Sequence, residues 1–185
     1  QKTAYEISTR DWSSDVCSSD LAQGANINDS VQNHEQAELL RLFEANVSFI
    51  SDQVKVLMKH NLIKQGGRVV ILSSVWELLT RQDKFAYTVT KAAVGGLVRS
   101  MAVDLGAAKG ILVNGILPGI VDTPMARGLL KPEQLDAVQH GTPSNRLLVP
   151  QDIGNAVYLL ASEFNTAISG QSLLVDNGWS IARKI

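Results

Sequence analysis

Gly67-Arg68-Val69-Val70-Ile71-Leu72-Ser73-Ser74 opens on the second of two adjacent glycines and closes on two hydroxyls, with four consecutive apolar side chains between them. An apolar run of this length bounded by turn residues reads as a buried strand. Its closing serines then emerge at the carboxyl end of a strand, where open α/β sheets hold their ligands.

Working outward, Leu39, Leu40, Leu42 and Phe43 mark an amphipathic helix over residues 34–43, and Val47, Ile50, Val54, Val56 and Leu57 extend it to about Lys64. Gly66 and Gly67 stop that helix and open the strand. Downstream, Ala92, Ala93, Val94, Leu97, Met101, Ala102 and Leu105 predict a long helix from Phe85 to about Leu105. Gly95 and Gly96 are costly within it unless another backbone comes close. A strand over 111–117 ends at Pro118-Gly119, helices follow over 132–140 and 151–161, and Leu173-Leu174-Val175 makes a final strand. Strand and helix alternate, as a doubly wound α/β fold requires.

Tyr87-Thr88-Val89-Thr90-Lys91 sets a phenol and an ammonium four residues apart near the start of the long helix, on one face. A free phenol titrates near pH 10, and a neighbouring cation stabilises its phenolate. Side by side in a pocket, the two groups form a device for moving a proton; on an open surface they are an ordinary amphipathic pair. Ser74 lies thirteen residues before Tyr87. Ser73 competes for the same place, and the interval favours Ser74. Asn46 either joins this site or kinks the junction of two helices, and Pro118-Gly119 is a turn on any reading.

With these residues assembled, the chain resembles the catalytic part of a short-chain dehydrogenase/reductase. The resemblance runs from about Gln32 to the C-terminus and rests on five motifs in order. They are Asn46 in Glu44-Ala45-Asn46-Val47, the strand ending at Ser74, the Tyr-x-x-x-Lys of Tyr87 and Lys91, the Pro118-Gly119 turn followed by Thr123, and the last strand with its exit, Gly170 to Gly178. A lone Tyr-x-x-x-Lys would carry little weight. The resemblance implies an oxidoreductase that uses NAD or NADP to interconvert a carbonyl and an alcohol by hydride transfer. Tyr87 would exchange the proton of the substrate oxygen, Ser74 would orient that oxygen, Lys91 would lower the Tyr87 pKa and hold the cofactor ribose, and Asn46 would anchor a water of the relay. Pro118, Gly119, Ile120 through its backbone, and Thr123 would meet the nicotinamide. A homodimer or homotetramer is implied too, with the Gly95-Gly96 region and apolar helix faces as the contact.

The family's phosphate-binding signature is another matter. No Gly-x-Gly-x-x-Gly or longer-spaced variant occurs in the sequence, nor the family's Asn-Asn-Ala-Gly stretch. The expected fold is therefore α/β, the C-terminal part of a Rossmann-like doubly wound parallel sheet with its first βαβαβ half missing. The residue that separates NAD from NADP belongs to that half, so both cofactors stand, and the chain alone is expected to lack turnover. A parallel sheet without its early strands is expected to expose an apolar edge. Gln1 to Leu21, dense in Ser and Asp and without period, stands where that half would be. Gln1–Glu6 and Asp11–Asp20 resemble the conceptual translation of a sequencing-library adapter. Residues 1–21 thus read as a non-native leader to be set apart from fold reasoning, and residues 22–185 as the incomplete catalytic domain. A natural Ser-rich leader is the alternative.

That leader holds the single Cys17, Trp12, two of the 17 basic residues and four of the 18 acidic ones. The remainder keeps 15 and 14, a formal charge of +1. Such a balance suggests neither nucleic acid nor a membrane surface as partner, and no apolar run approaches a membrane span. A body without cysteine has no disulfide framework, which suits the cytoplasm. His34, His60 and His140 have no metal-ligand spacing. Trp76 either lines a substrate pocket or fills the core. Residues 126–149 read as a lid, whose leucines mixed with Lys131, Glu133 and Gln134 suit a moderately apolar carbonyl or alcohol, with an acyl-thioester ketone, a sugar, a steroid and a simple alcohol all open. Two other functions fit parts of the pattern: a non-catalytic relative kept for dimerisation or regulation, and a nucleotide-sugar isomerase or dehydratase, disfavoured because little chain follows Gly178.

Overall fold

The computed structural model describes residues 18–21 and 24–182. Four strands form one parallel sheet in the order β1 (Ser18–Leu21), β2 (Arg68–Leu72), β3 (Leu112–Pro118) and β4 (Ser172–Val175). Between β1 and β2, helix α1 (Gln36–Phe43) passes through a π-helical turn (Glu44–Ser48) into α2 (Phe49–Lys59). Helix α3 (Phe85–Lys109) connects β2 to β3. Helices α4 (Pro124–Leu129), α5 (Pro132–Gly141) and α6 (Pro150–Ala161) lie between β3 and β4. Among the described residues, no helix is long and apolar enough to cross a membrane.

Successive side chains of β2 enter two different cores, which is why its sequence does not alternate. Val69 and Ile71 pack with Val47, Ile50, Val94 and Val98 beneath α2 and α3. Val70, between them, packs with Ile116, Ile153 and Leu160 beneath α6. Each of the three β2 side chains is 1% exposed or less, and each such burial stabilises the fold by about 1.5–3 kcal/mol.

Helix α3 outruns the expected end at Leu105 and reaches Lys109, because Ala107 and Ala108 are strong helix formers that carry it past Gly106. It stops at Gly110, whose left-handed φ of 63° closes the last turn with an N–H to the Gly106 carbonyl at 2.8 Å.

Strand β1 comes from the end of the stretch expected to stay outside the fold. It is held to β2 in register from Ser18 opposite Arg68 to Leu21 opposite Ile71. Those are backbone bonds, which require no side-chain pattern, so neither composition nor period reveals them. The expected bare edge of β2 is covered accordingly, and among the described residues β1 and β4 are the sheet's outer strands. The rest of the adapter-like stretch, with Trp12 and Cys17, lies outside the described residues.

Gly95 turns inward. A Cβ there would lie 2.4 Å from Glu77 Oε1, whereas one at Gly96 would meet nothing within 4 Å. The close approach comes from the carboxylate of the same chain, and Glu77 uses the space to accept the Ser172 hydroxyl of β4 at 2.7 Å. Gly95→Ala should therefore lower the unfolding free energy in urea by about 1–2 kcal/mol, while Gly96→Ala should raise it by roughly 0.5–1 kcal/mol. Adding Glu77→Ala to the first variant should cancel most of its loss. Equal effects of the two glycine changes would show that α3 does not need this space.

Candidate active site

The cleft forms where β2 and β3 end. Ser74 follows β2 and caps the short 3₁₀ turn Val75–Glu77, its Oγ accepting the Trp76 N–H at 3.4 Å. That turn packs against α3. Tyr87 stands in the first turn of α3 and lines the same cleft as Ser74. Lys91, one turn further, brings its ammonium 5.6 Å from the Tyr87 ring centroid. Asp29 fastens this end of the helix, with Oδ1 accepting the Ala86 N–H at 3.0 Å and its carbonyl accepting the Phe85 N–H at 3.1 Å.

Ser74, Tyr87, Lys91, Pro118, Gly119, Ile120 and Thr123 line one cleft of about 320 Å³. Seven of the eight site residues expected from sequence thus converge. Asn46, fully buried, stands behind the wall. Its Oδ1 accepts the Ala25 N–H at 2.7 Å, and its Nδ2 donates to the Ala25 carbonyl and to Thr90 Oγ1, both at 3.0 Å. Thr90 in turn donates to the Tyr87 carbonyl at 3.0 Å. Both amide hydrogens of Asn46 are occupied, so this residue clamps the loop after β1 to the turn of α3 that carries Tyr87. The π-helical turn around Asn46 is what aims it there, a common use of such turns.

Three wall residues carry no sequence signal. Gly24, Ala25 and Asn26 follow β1; a Cβ on Gly24 would stand 3.2 Å from Asn46 Oδ1 and 3.4 Å from Lys91 Nζ. Ser73 also lines the cleft, its Oγ buried and without a hydrogen-bond partner. Trp76 lines it as well, and meets Trp179 edge-on at 6.1 Å between ring centroids, so it serves cleft and core together. Lys84 and Arg81 complete that side. Lys84 had a signal: it sits three residues before Tyr87, one helical turn away.

Burial pushes the Tyr87 phenol up, and the hydrogen bond from Ser74 draws it partly back. Burial lowers Lys91 to about 8 against the pull of Glu77. Lys84 is lowered to about 8 by burial and by Arg81, with Asp29 opposing. The Lys84 ammonium donates to Asn26 Oδ1 at 2.8 Å and the Ile27 carbonyl at 3.3 Å, and lies 5.6 Å from the Tyr87 ring centroid. The phenol is therefore flanked by two ammonium groups.

On the β3 side, the Gly119 N–H reaches the Val175 carbonyl at 2.9 Å. A Cβ on Gly119 would come within 2.8 Å of Asp176 Cβ and 3.0 Å of its Cα, so only glycine lets the exits of β3 and β4 pass. Thr123 caps α4, accepting the Ala126 N–H at 3.2 Å, which leaves its hydroxyl hydrogen for another partner. The Lys91 ammonium makes no hydrogen bond to any described residue. Among the described residues, no group of three or more His, Cys, Asp or Glu is placed to hold a metal ion.

A family model described as enoyl-(acyl carrier protein) reductase matches residues 2–180. The chain is 37% identical over 143 residues to the 7alpha-hydroxysteroid dehydrogenase of Escherichia coli (strain K12), covering 77% of this chain and 55% of the relative. It is 31% identical over 150 residues to the oxidoreductase UcpA of the same strain, covering 77% and 57%. The chain thus spans about half the length of the curated relatives it matches. The aldohexose dehydrogenase of Thermoplasma acidophilum superimposes with a TM-score of 0.83 at 26% identity, over 91% of this chain and 69% of the other. A short chain dehydrogenase family protein from Francisella tularensis subsp. tularensis SCHU S4 superimposes with a TM-score of 0.81 at 27% identity, over 89% and 71%. By motif order, matched span and fold, this chain belongs to the short-chain dehydrogenase/reductase family.

Proposed function

We propose that the cleft is the proton-transfer and nicotinamide side of an oxidoreductase that interconverts a carbonyl and an alcohol. The observation that carries this reading is the half-buried Tyr87 phenol, sharing one cleft with Ser74 and flanked by Lys91 at the carboxyl ends of β2 and β3. In the reducing direction, Ser74 donates a hydrogen bond that orients the substrate carbonyl, and Tyr87 delivers its proton to the oxygen. Lys91 stabilises the phenolate left behind, working against the burial that raises the phenol. Asn46 acts through Ala25 and Thr90 to hold Tyr87 in place. The chain suits a nicotinamide-ribose: Lys91 offers ammonium hydrogens that no described residue takes, Thr123 a free hydroxyl hydrogen, and Ile120 a backbone on the cleft wall. When bound, NAD or NADP supplies or accepts the hydride.

A second reading, a non-catalytic scaffold, is favoured by one feature, the lack of a glycine-rich phosphate loop anywhere in the sequence. Both readings expect the 185-residue chain to bind NADH and NADPH weakly, and saturable fluorescence enhancement of either dinucleotide would contradict that. They part in a chimera that joins the unmatched part of the 7alpha-hydroxysteroid dehydrogenase in front of Gly24. Oxidation of NADH or NADPH by a ketone should appear, and Tyr87→Phe should reduce it by about 10²–10⁴-fold with dinucleotide affinity nearly unchanged. Full activity in the Phe variant would remove Tyr87 from proton transfer, and an inert chimera that still binds dinucleotide would favour the scaffold.

Lys91 also predicts a pH dependence. Its ordinary value is 10.5 and its folded value about 8, so between those pH values the unfolded chain binds the proton that the folded chain has released. Stability therefore rises with pH across that window. Holding the charged ammonium costs the fold ~3 kcal/mol below the folded value, since each tenfold change in proton affinity is about 1.4 kcal/mol. Lys84, lowered to about 8 as well, adds a rise in the same window. Urea unfolding from pH 7.5 to 10.5 should show the rise, and Lys91→Met should remove about half of it. An unaltered slope in that variant would mean that the ammonium is solvated.

A further inference from the structure

We propose that the cleft takes a substrate bearing an anionic oxygen group, a carboxylate or a phosphate, which Arg81 and Lys84 grip while Tyr87 meets its carbonyl or hydroxyl oxygen. This rests on the reading of the cleft as a substrate site. Among the described residues the wall carries Arg81, Lys84 and Lys91 and not one Asp or Glu. Lys91 has a role beside Tyr87; the other two cations have none. Lys84 is 3% exposed, and its ammonium is held only by two neutral oxygens, those of Asn26 and Ile27, with a third hydrogen left over. The Arg81 guanidinium gives one N–H to the Gln82 carbonyl at 3.0 Å. Neither forms an ion pair with a described residue. Asp29 is the one carboxylate whose charge Lys84 feels, but its Oδ1 is committed to the Ala86 N–H.

Burial and then the like charge of Arg81 lower the proton affinity of Lys84, and Asp29 offsets that repulsion only in part. An entering anion removes that repulsion and gains charge-assisted hydrogen bonds, with the planar guanidinium fork suited to carboxylate and phosphate alike. The facing wall, Leu72, Val121, Met125, Leu129 and Leu130, is apolar. The ligand is thus a short carbon skeleton charged at one end. Because Lys84 Nζ lies as near the Tyr87 ring as Lys91 does, the charge belongs close to the reacting carbon, as in an oxo acid or its hydroxy counterpart.

Ligand-detected NMR titrations of the 185-residue chain at pH 7 test this with four probes: acetoacetate, methyl acetoacetate, dihydroxyacetone phosphate and dihydroxyacetone. At least one anion should bind about tenfold or more tightly than its neutral partner, a difference of about 1.4 kcal/mol, and the tighter anion identifies the carboxylate or the phosphate as the recognised group. Arg81→Gln should erase most of that preference and leave the neutral probes unchanged. Lys84→Gln should act in the same direction, but its amine also ties the loop after β1, so Arg81→Gln is the variant that leaves the fold intact. Equal affinities within both pairs, no saturable binding of either anion, or a preference that survives Arg81→Gln would each overturn the proposal. No hydride moves in this readout. Anion preference beside an inert Tyr87 would sink the catalytic reading alone, and an active chimera without anion preference would sink this one alone.

Discussion

A strand whose consecutive side chains all leave water stands only between two covering layers, and β2 meets that condition with α2 and α3 on one side and α6 on the other. The constraint reaches well beyond the strand. Once Val69 and Ile71 lie under α3, the first turns of that helix come to rest over the carboxyl end of β2, where the 3₁₀ turn packs against them and Asp29 fastens the helix start. Ser74, Tyr87 and Lys91 meet there as a consequence of packing. No pairwise attraction among them is needed to bring them together, and their charges and hydroxyls oppose burial.

That opposition explains the hydrogen bonding behind the site. A phenol and two ammonium groups in a half-closed cleft are displaced from their solution behaviour by loss of water, and the surrounding structure holds them there through neighbours that cannot rearrange. Asn46 spends all of its amide hydrogens on backbone and Thr90. Glu77 reaches across Gly95 to Ser172, keeping a carboxylate where it supports the charge on Lys91. Removing either would leave the reacting side chains in place by covalent connection but free to relax into better-solvated positions, which is how residues away from the chemistry come to govern it.

How much of this was legible depends on what kind of interaction does the work. The elements with strong periodicity, from β2 through α3 to α6, stand where residues such as Val69, Val94 and Ile153 place them, with ends shifted by a few residues at Gly106 and Pro150. Spacing encodes the shared helix face of Tyr87 and Lys91 and the strand end at Ser74, and the resemblance added Pro118, Gly119, Ile120 and Thr123, which line the same cleft. Partners distant in sequence were not legible. Strand β1 pairs with β2 through its backbone and has no apolar alternation to betray it. Asn46, placed in the site by resemblance, stands behind the cleft wall, and its partner Ala25 lies 21 residues away, beyond any local pattern. The space beside Gly95 is filled by a side chain of the same chain, from a turn 18 residues earlier.

The cleft also divides its labour by element. Tyr87, Lys91 and Ser74 sit on α3 and at the end of β2, whose positions are set by two cores and tolerate little movement. Its apolar wall is drawn from Val121 and the short helix α4, which is fastened at its start by the Thr123 cap and by the exposed Asp122–Arg127 pair. Exposed pairs of this kind contribute little, about 0–1 kcal/mol, and none of the α4 side chains is buried. A rigid reacting edge faces a weakly held wall. Motion at the site therefore concentrates in α4 and the residues after it, and a ligand that fills the cleft gains most by ordering that wall while the proton-transfer groups stay where the sheet has put them.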